Sequence, residues 1–496
     1  MVKKKVKKEV KNFVKKIKDA AALSLDKILY DNIKEYSEYV LEDRALPAWQ
    51  DGLKPSQRRL LWALYHNLNS KPDKTYLKCA RITGQAMLYH PHGESYQTLV
   101  NMIEGTPCPL LYGLGNFGSY SSYNPAGASR YTEAKSSEFT IATFFDPRFL
   151  PVMEMVSNYD SSATEPVYLP AQLPIVLALG STGIAVGVTT DIPAFTVPSL
   201  IKAVQLALRE KNYIVPIKKL TQTLEFASAY GGKLDEAASE IKSVLETGVG
   251  TISWECEYDV VKDEVNIYGF PPGWNFDTKM AAIQKIPDVA TCVDISAGRD
   301  IHVKVTFRQV DRDKKDAAIK KVVSLLRSKK HHKLNVMTRY LQKDDVIDFT
   351  KGEFESISVQ QLLAKWVAYR VDLECKALTA EIEKLAKDLE KYELLKLAAD
   401  NLDIIFKILK TKGVDKVKEL SKKLKITPEQ SSTIWQIPVG RLDRLSSSEF
   451  VKNIQETKDK IKSVKKRLKA PEDSILLHMK ENMKALANPI AYHPES

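Results

Sequence analysis

A chain of 496 residues, 44% of them hydrophobic and 27% charged, is too long for a single core and apolar enough to build two to four domains. Its 74 Lys and Arg against 62 Asp and Glu leave a net charge of +12, which favours a polyanionic partner such as nucleic acid. The five cysteines (Cys79, Cys108, Cys256, Cys292, Cys375) are too scattered for a C-x-x-C or Cys/His metal set, no run approaches the ~18 to 20 apolar residues of a membrane span, and no apolar segment follows the lysine-rich start to make a secretory signal. The cysteines read as reduced, buried thiols of an intracellular protein.

In chain order, MVKKKVKKEVKNFVKKIK sets Val2, Val6, Val10, Phe13, Val14 and Ile17 near helical spacing among lysines, as in a basic helix on DNA or a membrane surface, or a frayed extension. Residues 22–110 read as helical. Within them SQRRLLWALYHNL (56–68) puts Leu60, Leu61, Leu64 and Leu68 on one face and Arg58 and Arg59 near its start, with Pro55 at the entry and Ser56 as the expected N-cap. Residues 111–130 carry Gly113, Gly115, Gly118 and Gly127 among Ser, Asn and Tyr, the chemistry of loops. The apolar stretch 166–196 predicts short buried strands broken by Gly and Pro.

From 215 to 345 the pattern is mixed: GTISWECEYDVV, EVNIYGF and DIHVKVTF predict strands, and 276–286 and 313–328 predict helices. Residues 357–400 predict one long helix with Leu378, Ile382, Leu385, Leu389 and Tyr392 as a seam. A second seam at Ile454, Ile461, Val464 and Leu468, with shorter helices between, predicts an antiparallel coiled coil, the alternative being a plain helical bundle.

AGASRYTEAK (126–135) places Arg130 directly before Tyr131 on a scaffold of small residues. Alone the pair means little, since Arg339-Tyr340 repeats it without any accompanying signal. Four stretches, however, follow in one order: ALPAWQDGLKPSQRRLLWAL (45–64), YHPHGES (89–95), GNFGS (115–119) and ASRYTEA (128–134). Together they resemble the breakage-reunion (A-type) subunit of type IIA DNA topoisomerases, as in bacterial gyrase and topoisomerase IV. The resemblance continues through VSNYDSSATEPVYLPAQLPIVLALGSTGIAVGVTTDIPAF (156–195) and covers roughly residues 25–480.

The resemblance implies a multidomain α+β fold: a basic N-terminal extension (1–24), a winged-helix breakage-reunion domain (25–155), an α/β tower (156–350), and a long antiparallel coiled coil with a helical exit-gate tip for dimerisation (351–496). It implies that Tyr131 attacks a DNA phosphodiester to give a 5′-phosphotyrosyl link, that Arg130 stabilises the phosphate, and that His90 orients groups or relays a proton. Lys54, Arg58, Arg59, His92, Asn116 and Ser119 are implied DNA contacts. Leu173, before Pro174, is the expected wedge between base pairs. Where bacterial members usually carry an arginine before Asp-Gly, this chain has Gln50, so a weaker phosphate contact is expected there, with Gln50→Arg raising DNA affinity or cleavage.

No G-x-x-x-x-G-K-[ST] loop and no acidic metal motif of the family occurs, and the D-x-D at Asp311 and Asp313 reads as a solvated loop. ATP and Mg²⁺ are therefore expected through a separate B-type ATPase/TOPRIM partner, in an A2B2 assembly on double-stranded DNA with this chain as a homodimer. The extent of the chain suggests a short form without a C-terminal β-pinwheel, favouring relaxation or decatenation in the cytoplasm, at the nucleoid, or in a host's cytoplasm if phage-encoded. Two rival readings are a non-cleaving architectural DNA-binding homologue, hinted at by Gln50, and a tyrosine recombinase, whose layout differs.

Overall fold

The computed structural model describes residues 32–34, 36, 37, 40, 44–91, 95–118, 125–185, 187–296, 301–338, 353–411, 413, 415–436, 447–482 and 486. The expected basic extension, His92, Ser119 and the Arg339-Tyr340 pair lie outside them. The fold is mixed α/β and divides into two compact units: one is drawn from Met1–Asp146, Met153–Tyr369 and Asn482–Ser496, the other from Pro147–Val152 and Arg370–Glu481.

In the first unit, helices Pro55–Trp62, Cys79–Ala86 and Tyr96–Ile103 pack around Leu60, Leu61, Ile82, Leu99 and Ile103, all of them buried. Beside them lies a three-stranded antiparallel sheet in the order Leu77–Lys78, Glu133–Ser136, Leu111–Leu114. The first helix is capped two residues earlier than expected. Lys54 is its N-cap, Pro55 occupies the first turn, and the Lys54 backbone N–H donates to Gln57 Oε1 at 2.9 Å. Proline needs no N–H partner in that turn, so the cap falls before it and not at Ser56.

A five-stranded antiparallel sheet follows in the order Lys233–Leu234, Val249–Glu255, Arg327–Lys333, Val188–Ile192, Ser181–Ala185. The stretch 166–196, expected to hold short buried strands, does hold strands Ser181–Ala185, Val188–Ile192 and Ala194–Phe195, but also the buried helix Ile175–Leu179; a short apolar run buried on all sides has no periodicity to separate helix from strand. A four-stranded sheet (Glu257–Val261, Glu264–Gly269, Val303–Phe307, Val289–Asp294) packs helices Phe276–Gln284 and Arg312–Leu325 over a core that includes Val265, Ile267, Val303, Val305 and the stacked pair Phe270–Trp274. Fully burying each such aliphatic side chain contributes roughly 1.5–3 kcal/mol. Asp311 and Asp313 are not loop residues: the first is the N-cap of Arg312–Leu325 and the second lies in its first turn, where acids suit the helix dipole.

Helix Val359–Asp400 runs through the end of the first unit into the second. In the second unit it pairs with Ser447–Leu468 through Arg467–Glu381 (3.0 Å) and Lys458–Glu393 (3.1 Å). As one residue number falls the other rises, so the two helices run antiparallel. Leu378 and Val464 are buried in the seam, while Ile382, Leu385, Leu389 and Tyr392 are half-buried. The far end carries a small core of Leu394, Ala398, Ile405, Ile408, Leu420 and Ile434, built with helices Leu402–Lys410, Lys416–Leu424 and Pro428–Trp435.

Candidate active site

Tyr131 ends a tight turn in which its N–H donates to Ala128 O at 2.8 Å, directly before strand Glu133–Ser136. The turn is held from two helices. At the start of Cys79–Ala86, the N–H groups of Cys79 and Ala80 donate to Thr132 O and Ser129 O, both at 3.0 Å, and Tyr96 Oη donates to Gly127 O at 2.5 Å and lies 2.8 Å from Thr132 Oγ1. Small residues at 126–129 let these groups approach. The result is a fixed backbone presenting a side chain that is 67% exposed.

The guanidinium carbon of Arg130 lies 4.6 Å from the centroid of the Tyr131 ring, a cation–π placement. Arg130 is itself exposed, and among the described residues it has no carboxylate partner. A phenol and a guanidinium thus share one exposed surface, and a guanidinium is a donor suited to anionic oxygens.

His90 borders a separate cleft of ≈ 890 Å³, shared with Lys54, Arg59, Thr182 and Ile184. Its loop is fixed by neighbours: Tyr89 Oη donates to Asn67 Oδ1 at 2.6 Å, and Asn158 Nδ2 donates to Leu88 O at 2.8 Å. Lys54 Nζ donates to Thr182 O at 2.8 Å, and burial lowers its pKa below the usual lysine range. Arg130 and Tyr131 are not among the residues lining this cleft.

Arg58 and Arg59 are placed differently from expectation. Arg58, 2% exposed, grips Asp51 through Nε (2.5 Å) and Nη2 (2.9 Å), while Asp51 also accepts the N–H groups of Leu53 and Leu169. Burial opposes the charge on Arg58, but Asp51, with smaller help from Tyr168 and Glu165, outweighs it, so the pKa is raised. Arg59 makes the same kind of fork to Glu165, at 2.8 and 3.2 Å. Both guanidiniums hold the helix to its surroundings: Arg58 is closed off in the interior, while Arg59, held by Glu165, still borders the cleft.

Two further expectations are corrected. Leu173 is 0% exposed and is a core residue in this structure; the exposed apolar side chain at the cleft is Ile184, at 78%, near the tip of the hairpin Ser181–Ala185/Val188–Ile192. Gly183 seats that hairpin, since a Cβ there would lie 2.2 Å from Ala45 O. Gln50 is 4% exposed and its carbonyl accepts the Trp366 indole N–H at 3.0 Å, so an arginine there would meet a closed interior and not solvent. Asn116 Oδ1 accepts the Gly118 N–H at 2.8 Å, and its carbonyl accepts the Gly127 N–H, which shapes the loop before the tyrosine turn.

Asp51, Glu165, Tyr96 and Ile184 join the site without having been expected there. The acids were legible only as odd carboxylates in apolar surroundings. Ile184 was legible as the outward residue of an alternating hairpin.

No group of three or more His, Cys, Asp or Glu among the described residues is arranged to hold a metal ion, and no helix among them is long and apolar enough to cross a membrane. Fold and site together define a mixed α/β protein that pairs an exposed Arg-Tyr turn with a lysine-bearing cleft tipped by an apolar side chain. The sequence profile of the DNA gyrase/topoisomerase IV A subunits matches residues 44–483, and the chain belongs to that family.

It is 30% identical over 440 residues to the DNA gyrase A subunit of Streptococcus pneumoniae serotype 4, covering 86% of this chain and 52% of that protein. It is 27% identical over 461 residues (90% and 50%) to the DNA gyrase A subunit of Staphylococcus epidermidis, and 29% identical over 427 residues (84% and 47%) to that of Staphylococcus aureus strain NCTC 8325. The chain spans about half the length of these curated relatives.

Proposed function

We propose that this chain is the DNA-cleaving component of a type IIA topoisomerase, cutting both strands of a duplex transiently so that another duplex can pass. The observation that carries this reading is the exposed Tyr131 with Arg130 over its ring, on a turn pinned by Cys79, Ala80 and Tyr96. Tyr131 Oη gives up its proton and bonds to phosphorus, and the bond from phosphorus to the 3′ oxygen breaks. That oxygen leaves with the electron pair and is protonated to a 3′ hydroxyl, while the 5′ phosphate stays on the tyrosine. Reversal reseals the strand without an external energy source, because the phosphodiester is exchanged and not hydrolysed. Arg130 offsets charge on the phosphate oxygens as the bonds exchange.

In this reading the three helices and three-stranded sheet around Tyr131 are a winged-helix unit, the sheets of 156–350 a tower, and the antiparallel helices and their tip an exit gate. Lys54 and His90 face the DNA backbone, and Ile184 takes the wedge role expected of Leu173. Two copies place one Tyr131 on each strand. ATP and Mg²⁺ come through a B-type partner, which would carry the acidic metal motif that this sequence does not contain, and the assembly works on cytoplasmic DNA. The test is relaxation of supercoiled plasmid by the chain with a cognate B-type partner, ATP and Mg²⁺. Activity that needs both chains supports the proposal, and plasmid binding without any change of topology beside a competent partner favours a non-cleaving architectural protein.

A further inference from the structure

The Tyr131 side chain is 67% exposed, so little packing holds it and the backbone of its turn sets where the phenol stands. Much of that backbone is held by other backbone: Tyr131 N–H to Ala128 O, Cys79 N–H to Thr132 O, Ala80 N–H to Ser129 O and Gly127 N–H to Asn116 O. Tyr96 adds a side chain to this frame. Its hydroxyl lies 2.5 Å from Gly127 O and 2.8 Å from Thr132 Oγ1. A phenol has one proton to give and a carbonyl can only accept, so Tyr96 donates to Gly127 O and Thr132 donates to Tyr96. One oxygen thereby ties the residue before 128–131 to the residue after it.

Burial alone does not account for this hydroxyl. Thr132 is buried, but Gly127 is only half-buried, and a phenylalanine at 96 would fill the space of the tyrosine ring. What the hydroxyl adds is a fixed span between 127 and 132.

Tyr96 opens helix Tyr96–Ile103, which is anchored by the buried Leu99, Val100, Met102 and Ile103. Gln97, Thr98 and Asn101 of the same helix, with Ser95 before it, line the cleft that Lys54 and His90 border. One short element therefore borders the cleft with some of its side chains and grips the tyrosine turn with its first.

We infer that Tyr96 is a positioning residue for strand cleavage, holding the 127–132 backbone so that Tyr131 keeps a fixed place relative to the helix that borders the cleft. The inference rests on the DNA-cleavage reading above. Tyr96 acts through Gly127 and Thr132 and takes no part in the bond exchange itself. Attack needs the phenol oxygen close to phosphorus and in line, and a displacement of about 1 Å can cost about 100-fold in rate.

The test follows formation of the covalent complex by the full chain with a cognate B-type partner, Mg²⁺ and increasing supercoiled plasmid. Maximal rate and half-saturating plasmid concentration are read separately for wild type, Tyr96→Phe, Thr132→Val and Thr132→Ser. Tyr96→Phe should lower the maximal rate about 10- to 100-fold and leave half-saturation within about twofold of wild type. Thr132→Val, which keeps the bond to Gly127 O, should lose less, and Thr132→Ser, which keeps the hydroxyl, should run at the wild-type rate. Tyr268→Phe, which loses a hydroxyl bonded to Asp259 at 3.1 Å elsewhere in the fold, should change neither quantity.

An unchanged maximal rate in Tyr96→Phe would overturn the inference. So would a rise in half-saturation at an unchanged rate, which would make Tyr96 a DNA contact. A rate lost in step with the thermal midpoint, and lost equally in Thr132→Ser, would mark a general loosening of the fold and overturn it as well. Should Tyr96→Phe fail to fold, Thr132→Val at the wild-type rate would do the same. If wild type forms no covalent complex beside a competent partner, or Tyr131→Phe forms as much, it is the DNA-cleavage reading that fails.

Discussion

Arg58 and Asp51 sit in an interior that strips both of water, and each is tolerable only because the other is present. Removing one partner of such a pair costs about 3–5 kcal/mol, because the remaining charge stays buried. Asp51→Asn should therefore lower the unfolding free energy by about that amount, seen as a lower denaturant midpoint, a loss of stability preceding any effect on DNA. Lys54→Gln should leave stability nearly unchanged and make the salt dependence of DNA binding shallower by about 1, the signature of a single phosphate contact. The contrast shows what spacing conveys: it placed Arg58, Arg59 and Lys54 together at one helix start, but which of them turns inward depends on Asp51 and Glu165, the latter 106 positions away from Arg59. Arg130 and Tyr131 were legible because small neighbours leave the turn nothing to bury them with.

At the scale of elements, the hairpin at 181–192 and the short helix before it separate two residues that sequence alone could exchange. Leu173→Ala should cost about 2–5 kcal/mol as a core cavity, while DNA bending by the folded fraction persists. Ile184→Ala should leave the denaturant midpoint in place and reduce bending, read by energy transfer between dyes at the ends of a duplex; unchanged bending would rule out the wedge. The sheet cores and the long helix follow from alternation and heptad spacing. Helix Ile175–Leu179 and strand Arg327–Lys333 do not. The first is apolar on every side, and the second has almost no apolar residue, so neither carries a period to read.

At the scale of the whole molecule, the second unit has a buried ionic cluster: Glu374 meets Arg370 at 3.1 Å, Arg148 at 3.4 Å and Ser474 Oγ at 2.8 Å. Burial pushes the Glu374 carboxyl up, but Arg370 and Arg148, helped by Ser474, pull it further the other way, leaving it below its ordinary 4.5. A carboxylate depressed on folding contributes stability that is fully present above the unfolded value and lost as pH falls through the folded one. The denaturant midpoint of the wild type should therefore fall as pH drops below 4.5, and Glu374→Gln, less stable at neutral pH, should show a flatter decline. Motif order across 45–195 made the family legible from sequence, whereas this cluster joins residues 148, 374 and 474 that only folding brings together. A homodimer by light scattering at micromolar concentration is expected, and a monomer would contradict the two-strand cleavage reading.

The most direct test of Tyr131 as the nucleophile traps the covalent intermediate. The chain, a cognate B-type partner, Mg²⁺ and supercoiled plasmid are quenched with denaturant, with wild type beside Tyr131→Phe. Protease-sensitive linear DNA is expected with wild type, a phosphotyrosyl linkage mapped to Tyr131, and none with the variant. Covalent complexes that survive Tyr131→Phe, or plasmid bound but never linked by the wild type beside a competent partner, would contradict it.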